Sequence, residues 1–316
     1  MREIVVISGK GGTGKTSIVA AIAALAGEVV TADCDVDAAD LHLLLDPKVL
    51  RKETFSGGKR ASIDPVLCTG CGKCEELCRF GAVFRTSNPG GGQSGVSSDG
   101  PRTGVEVSGH AEYSIDGIAC EGCGVCAYFC PAGAIAFEEV ENGVWYISQT
   151  RYGPMVHAHL NAGEENSGKL VTVVRNHAKR IADERGIDTV LIDGSPGIGC
   201  PVIASITGAD LVLAVTEPTM SGVHDLERVV RLTQHFGIEA MVAVNKADIN
   251  SDITASIEEF VRREGLTLAG RIRYDGAVTE AQIRGRSIVE VSDGPTTRDV
   301  KRIWNQMRFY IEQEER

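Results

Sequence analysis

The chain has 316 residues, 43% of them hydrophobic, with 43 acidic against 32 basic side chains and a net charge of −11. That balance disfavours broad contact with a nucleic-acid backbone, and no apolar run reaches about 18 residues, so no stable membrane insertion is expected. Ten cysteines without a cleavable leader point to metal ligation in a reducing, cytoplasmic setting rather than to disulfides.

In chain order, the strand-like run Ile4-Val5-Val6-Ile7 leads into Gly9-Lys10-Gly11-Gly12-Thr13-Gly14-Lys15-Thr16, which fits the phosphate-loop pattern G-x4-G-K-[ST]. An apolar helix is expected from Ser17 to Ala26. Glycines let the backbone curl so that its N–H groups and the helix start surround phosphate oxygens. Lys15 is then placed to neutralise β- and γ-phosphate charge, and Thr16 to ligate Mg²⁺. A second strand, Val29-Val30-Thr31-Ala32, ends in Asp33-Cys34-Asp35, with Asp33 expected to anchor the loop or the Mg²⁺ shell.

Next come two copies of Cys-x2-Cys-x2-Cys-x3-Cys: Cys68, Cys71, Cys74 and Cys78, then Cys120, Cys123, Cys126 and Cys130, the second followed by Pro131. One such run alone suits zinc; two with this uneven spacing read as two [4Fe–4S] clusters, because soft thiolates on tight turns suit iron. The repeat extends outward: Ser62-Ile63-Asp64 matches Ser114-Ile115-Asp116, and Gly81-Ala82-Val83 matches Gly133-Ala134-Ile135. Thr86 to Gly109, rich in Gly, Ser and Pro, reads as a long flexible loop between the copies.

Further on, the strand Thr189-Val190-Leu191-Ile192 ends in Asp193-Gly194-Ser195-Pro196-Gly197, where Asp193 is placed to bind Mg²⁺ through water and small residues permit loop movement. Strands near 3–8, 28–33, 188–193, 210–216, 239–245 and 268–272 alternate with helical stretches. The fold class expected is therefore α/β, a mainly parallel doubly wound sheet with helices on both faces. Asn245-Lys246-Ala247-Asp248 equals the N-K-x-D guanine motif when taken alone. Val300, Ile303, Trp304, Met307 and Ile311 form a helical stripe, and the acidic Glu312, Glu314 and Glu315 beside it favour docking on the core over a membrane.

With Lys10 just after the first glycine, the loop resembles the deviant Walker A motif of the MinD/ParA-type ATPases, a group related to the nitrogenase iron protein. The resemblance covers residues 1–46 and about 165–292. It implies ATP with Mg²⁺ at Gly9, Lys10, Gly11, Gly12, Thr13, Gly14, Lys15, Thr16, Ser17 and Asn245, the last on adenine. It also implies catalytic roles for Lys10 (acting across a dimer), Lys15, Asp35 (orienting the attacking water) and Asp193. Residues from Ser62 to Ile147 resemble the bacterial two-cluster ferredoxin. That resemblance implies crossed ligation: Cys68, Cys71 and Cys74 with Cys130, and Cys120, Cys123 and Cys126 with Cys78. Arg79 departs from it, standing where proline is usual.

The expected organisation is a nucleotide domain in two parts, 1–58 and 151–316, with an inserted α+β ferredoxin domain at 59–150. The expected function couples nucleotide state to electron transfer through the clusters to a partner protein. A cluster carrier or assembly factor and a MinD-like positioning ATPase are the alternatives. Expected partners are a second copy or a paralogue in a dimer and a redox or cluster-acceptor protein. Cys200, seven residues after Asp193, is spaced like a ligand of the intersubunit cluster in the nitrogenase iron protein, although Asn166 stands near the companion position.

Overall fold

A computed structural model describes residues 1–86, 112–161, 164 and 167–313. The glycine-rich stretch after Thr86, Asn166, Glu314 and Glu315 lie outside the described residues.

Short apolar strands and intervening helices alternate as the sequence pattern requires. The chain runs β1 (Arg2–Ser8), α1 (Lys15–Ala26), β2 (Val30–Asp33), α2 (Leu41–Leu45), β3 (Lys48–Phe55), β4 (Gly58–Ile63), α3 (Lys73–Leu77), β5 (Val83–Thr86), β6 (Glu112–Ile115), α4 (Val125–Tyr128), β7 (Ile135–Val140), β8 (Gly143–Thr150) and β9 (Gly153–Leu160). It continues with α5 (Ser167–Arg185), β10 (Thr189–Pro196), α6 (Cys200–Ile206), β11 (Leu211–Thr216), α7 (Met220–His235), β12 (Ala240–Asn245), α8 (Ser251–Arg263), β13 (Thr267–Ile272), α9 (Gly276–Ile283), α10 (Ile288–Val291) and α11 (Pro295–Gln313).

Two compact units result: one comprises Met1–Phe55, Gly143–Asn161 and Asn166–Arg316, the other Ser56–Asn142 with Glu164. In the first, nine strands form one sheet in the order β13-β12-β11-β1-β10-β2-β9-β8-β3. The strands from β13 to β9 are parallel, and β8 and β3 add an antiparallel edge. Alternate residues of β1 serve two cores, Val5 and Ile7 packing with α5 to α8, Ile4 and Val6 with α1, α2 and α11. Such near-continuous apolar strands are what a parallel sheet covered on both faces demands.

Two findings refine the reading from sequence. Three strands, β3, β8 and β9, join the large sheet beyond the six expected, and Gly143 to Thr150 belongs to the nucleotide unit. The strand expected near 188–193, β10, runs on to Pro196, which pairs with Ser8 after a bulge shifts the register. The helical stripe docks as expected: Val300, Ile303, Trp304 and Met307 are buried.

In the second unit the sequence repeat is a repeat of backbone. Every equivalence is an offset of 52 residues, the distance from Cys68 to Cys120. Gly70, Gly72 and Gly81 are left-handed, and so are Gly122, Gly124 and Gly133. Strands pair between copies: Ile63 opposes Ile135 in β4–β7, and its equivalent Ile115 opposes Val83 in β5–β6. Asp64 N–H donates to Ala134 O at 2.8 Å, and Asp116 N–H to Ala82 O at 2.7 Å. Each half thus closes the other, which places the end of one cysteine run beside the start of the other.

Candidate functional site

The phosphate loop leaves β1 at its C-terminal end, where parallel α/β sheets bind ligands. Gly14, at φ 86°, caps α1 in the left-handed region, and a Cβ there would meet Asn245 Nδ2 at 2.4 Å. Only glycine lets Asn245 reach across to donate to Thr13 O at 2.7 Å. No side chain caps α1, which leaves the first N–H groups of the helix available to an anion.

Beneath it Lys15 is buried and donates to Asp193 Oδ1 at 2.9 Å and to Asp35 Oδ2 at 3.1 Å. Burial pulls the ammonium pKa down, but the Asp193 and Asp35 carboxylates more than restore it and leave it raised. Burial raises the Asp193 carboxyl, with Lys15 and Thr16 opposing, and raises Asp35, again opposed by Lys15. One lysine against two carboxylates leaves the cluster net negative, which a divalent cation would offset. Asp193 Oδ2 and Thr13 Oγ1 are buried without a hydrogen-bond partner among the described residues. Buried orphan oxygens of this kind are costly unless a ligand satisfies them, so the site fits Mg²⁺ at Asp193 and Thr16 with a phosphate chain in the loop.

The switch segments are tied together. Asp33 accepts from Asp35 N–H at 3.2 Å and Leu41 N–H at 3.1 Å, so it anchors the loop rather than facing a ligand. Ser195 Oγ donates to Cys34 O at 2.6 Å, linking the loop after β2 to the end of β10. Cys34 is fully buried, and burial pushes its thiol pKa up. Lys10 is turned onto its own chain, 2.6 Å from Glu217 and 3.0 Å from Ser221 Oγ. Glu217 also holds Lys246 at 3.1 Å; burial raises the carboxyl, but these two lysines outweigh it and lower it. Reading the sequence alone missed Glu217, although an acidic residue just past the end of a parallel strand was a signal that could have found it.

Beside the loop opens a cavity of about 270 Å³ lined by Gly12, Gly14, Ser17, Asn245, Arg273, Tyr274 and Gln282 among others. Its place next to the phosphate loop suits the nucleoside end of a bound nucleotide. The residues from Ile272 to Gln282 carried no sequence motif and were not anticipated. Asp248, the guanine-reading position of an N-K-x-D motif, is absent from this wall and accepts from Tyr274 N–H at 2.7 Å instead.

In the second unit, Cys68, Cys71, Cys74 and Cys130 line one small cavity, of about 20 Å³, with Thr69, Pro131 and Tyr113. Three thiols come from the first run and one from the second. Burial, then the neighbouring Cys68 and Cys71, raises the Cys74 thiol; burial, then Cys120 and Cys123, raises its equivalent Cys126. Ala134 N–H lies 3.3 Å from Cys130 Sγ. Against burial, the N–H groups of Phe80, Ala82, Val83 and Gly81 lower the Cys78 thiol. Among the described residues, no three Cys, His, Asp or Glu side chains converge on a point that would hold a single metal ion. Arg79 is exposed. Cys200 is exposed at the start of α6 with Gly168 against its Cβ, far in sequence from both runs.

Residues 4–288 match the CobQ/CobB/MinD/ParA nucleotide binding domain. The uncharacterized protein MJ0578 of Methanocaldococcus jannaschii is 33% identical over 259 residues, 79% of each chain, and MJ0579 of the same organism is 24% identical over 304 residues, 93% of each. Among solved structures, the cell division ATPase MinD of Pyrococcus furiosus aligns with a TM-score of 0.55 at 16% identity, over 98% of this chain and 99% of that one. Apo McdA of Cyanothece aligns at 0.56 and 15% identity, over 97% and 99%. The chain belongs to the CobQ/CobB/MinD/ParA nucleotide-binding family, whose MinD and ParA members are P-loop ATPases. No helix among the described residues is long and apolar enough to cross a membrane.

Proposed function

We propose that this member of the family is a Mg-dependent ATPase whose second unit carries two [4Fe–4S] clusters, so that nucleotide state governs electron transfer to a partner protein. The observation that carries the reading is the cavity shared by Cys68, Cys71, Cys74 and Cys130. Four thiols drawn from both runs around one cavity, with no three of them converging on a single-ion point, suit a polynuclear iron–sulfur group better than a single zinc ion. By the backbone repeat, Cys120, Cys123 and Cys126 with Cys78 form the second set. When bound, such clusters supply one-electron storage at potentials set by their surroundings. The chain's own part is to hold the thiolates, donate N–H groups to them and limit water.

In the nucleotide unit, Lys15 and the loop N–H groups bind the phosphates, and Thr16 and Asp193 hold Mg²⁺. MinD of Pyrococcus horikoshii with Mg-ADP and McdA with ATP, both similar in fold, support this choice of ligand. Asp35, released from Lys15 when phosphate arrives, orients the attacking water. Lys10, released from Glu217, reaches the nucleotide of a second copy or a paralogue. Asp248, where a guanine would be read, is engaged by the Tyr274 backbone instead, which favours adenine over guanine. Anaerobic EPR of the reduced protein with ATP, with ADP and as Lys10→Ala tests the coupling. Nucleotide-dependent reoxidation with iron retained is the expected result, and loss of iron to an apo-acceptor favours a cluster carrier instead.

A second reading, a positioning ATPase whose cysteine unit serves interaction, is favoured by the fold-level likeness to MinD and McdA. It predicts ATP-dependent localisation with no effect of nucleotide on electron flow.

A further inference from the structure

The backbone repeat supplies its own control. α3 and α4 occupy equivalent places, so Lys73, Glu76 and Leu77 correspond to Val125, Tyr128 and Phe129. The first half presents charge where the second presents apolar surface. Tyr128 is 84% exposed, Phe129 48% and Val125 37%. Val66 and Ile118 are exposed in both halves, and the first half exposes Leu67, Phe80 and Phe84 elsewhere, where the second carries alanines; the contrast lies in the α3 and α4 positions.

These side chains, with Phe137 and the exposed Cys123, line a shallow, open concavity of about 500 Å³. Two exposed lysines stand over it: Lys73 Nζ lies 5.8 Å from the Phe129 ring centre and Lys59 Nζ 5.6 Å from that of Phe137. Lys59 leans over the ring although Glu139 opposes it in register. Neither lysine is in an ion pair among the described residues. In a chain of net charge −11, two cations held over aromatic rings stand out, although Glu139 opposes Lys59 and Glu76 shares a helix with Lys73. Exposed aromatic anchors beside cationic side chains are of the composition found at protein interfaces.

We propose that the second half, at Val125, Tyr128, Phe129 and Phe137, is the docking face for an acidic protein partner with an apolar centre, its carboxylates meeting Lys59 and Lys73. The inference rests on the electron-carrier reading and adds to it where the carrier partner sits. Homogenising the repeat tests it: Val125→Lys with Tyr128→Glu writes the first half's residues into the second, both at exposed positions. Glu76→Ala alters the equivalent place in the first half. The probe is flavodoxin, a small acidic electron carrier, titrated against the anaerobically isolated full chain by isothermal calorimetry, with iron content measured on each sample.

The expected result is saturable binding that weakens with salt, falls at least about tenfold in the double variant and changes less than about twofold in Glu76→Ala, with iron unchanged. Absence of saturable binding, equal losses in both variants, or loss in neither overturns the proposal. So does sedimentation showing that Tyr128→Glu dissolves a self-association, since the occupant is then a second copy. Failure of the electron-carrier reading shows separately, as wild-type protein lacking iron.

Discussion

In the nucleotide unit, dozens of side chains from Ile4 to Met307 are sealed on both faces of a nine-stranded sheet. In the cysteine unit, the buried apolar side chains among the described residues are Ala61, Ala82, Val83 and Ala134. Full burial of a Val, Leu or Ile contributes roughly 1.5–3 kcal/mol, and alanines much less. Small domains that cannot build a core are held by disulfides or metal, and the ten cysteines are all free thiols. The same chain therefore contains one region that folds by hydrophobic burial and one whose described residues bury little; on the function proposed above, the order of the second comes from clusters held by its eight cysteines. On the proposed function the contrast also makes the two activities separable: the phosphate loop leaves a packed sheet, and the metal would be held on loops that it fixes itself.

The largest effect expected from this contrast is on stripping iron. Chelation under oxidation should open the cysteine unit to proteolysis at its β4–β7 and β5–β6 strands, because metal-site binding energy is folding energy. The nucleotide unit should keep its Tm within about 3 °C, no more than the shift that about 1 kcal/mol gives in a domain of this size. Limited proteolysis with mass spectrometry and a calorimetric scan of the same sample check both halves of the statement.

The reverse lesion is next. Lys15→Ala removes the cation from between Asp35 and Asp193, and breaking a buried pair in this way costs roughly 3–5 kcal/mol. Affinity for ATP should fall by about 10- to 100-fold, the loss of a charge-assisted contact worth about 1.5–3 kcal/mol, while iron content stays at the wild-type level. Fluorescent-nucleotide titration and iron analysis separate the two. Loss of iron in this variant would mean that the units do not stand apart.

Acid should weaken the nucleotide unit through His157. This ring is buried against Tyr146 and His42, 3.0 Å from Ser148 Oγ, and burial, then His42, lowers its pKa from 6.5 to about 4. The unfolded chain takes up the proton below about pH 6.5, and the folded one only near pH 4. Stability is therefore fully present above the unfolded value and is lost as pH falls through this window, by an amount on the order of 3 kcal/mol. Denaturant midpoints of the nucleotide unit at pH 7 and pH 4.5 should diverge in wild type and converge in His157→Gln.

The smallest effect concerns the link between switch segments. Ser195→Ala removes the hydrogen bond to Cys34 O and should lower stability of the same unit by about 1 kcal/mol. Hydrogen exchange at Cys34 and Asp35 should quicken, with protection in β4 and β7 unaltered.

What could be read in the sequence was local in kind. Gly9 to Thr16 and the two cysteine runs carry their geometry in their spacing, and the apolar runs of β1, β10, β11 and β12 announce buried parallel strands. The edge was not legible: β3, with Lys48, Arg51, Lys52 and Glu53, is charged because it ends the sheet, and β9 carries Pro154, His157 and His159 among its apolar residues. Nor was the wall from Ile272 to Gln282 legible, since its residues meet the phosphate loop only through the sheet's long crossovers. Glu217 shows the same limit, for its partners Lys10 and Lys246 stand more than two hundred and nearly thirty residues away.

Metal and sulfide analysis of protein isolated without oxygen bears most directly on the whole account. Two polynuclear sites predict about eight iron and about eight sulfide per chain, with reduced-state EPR signals that Cys130→Ser perturbs together with Cys68→Ser. Zinc at the thiolates, or iron-free protein in which the cysteine unit is nonetheless folded and protease-resistant, would contradict it.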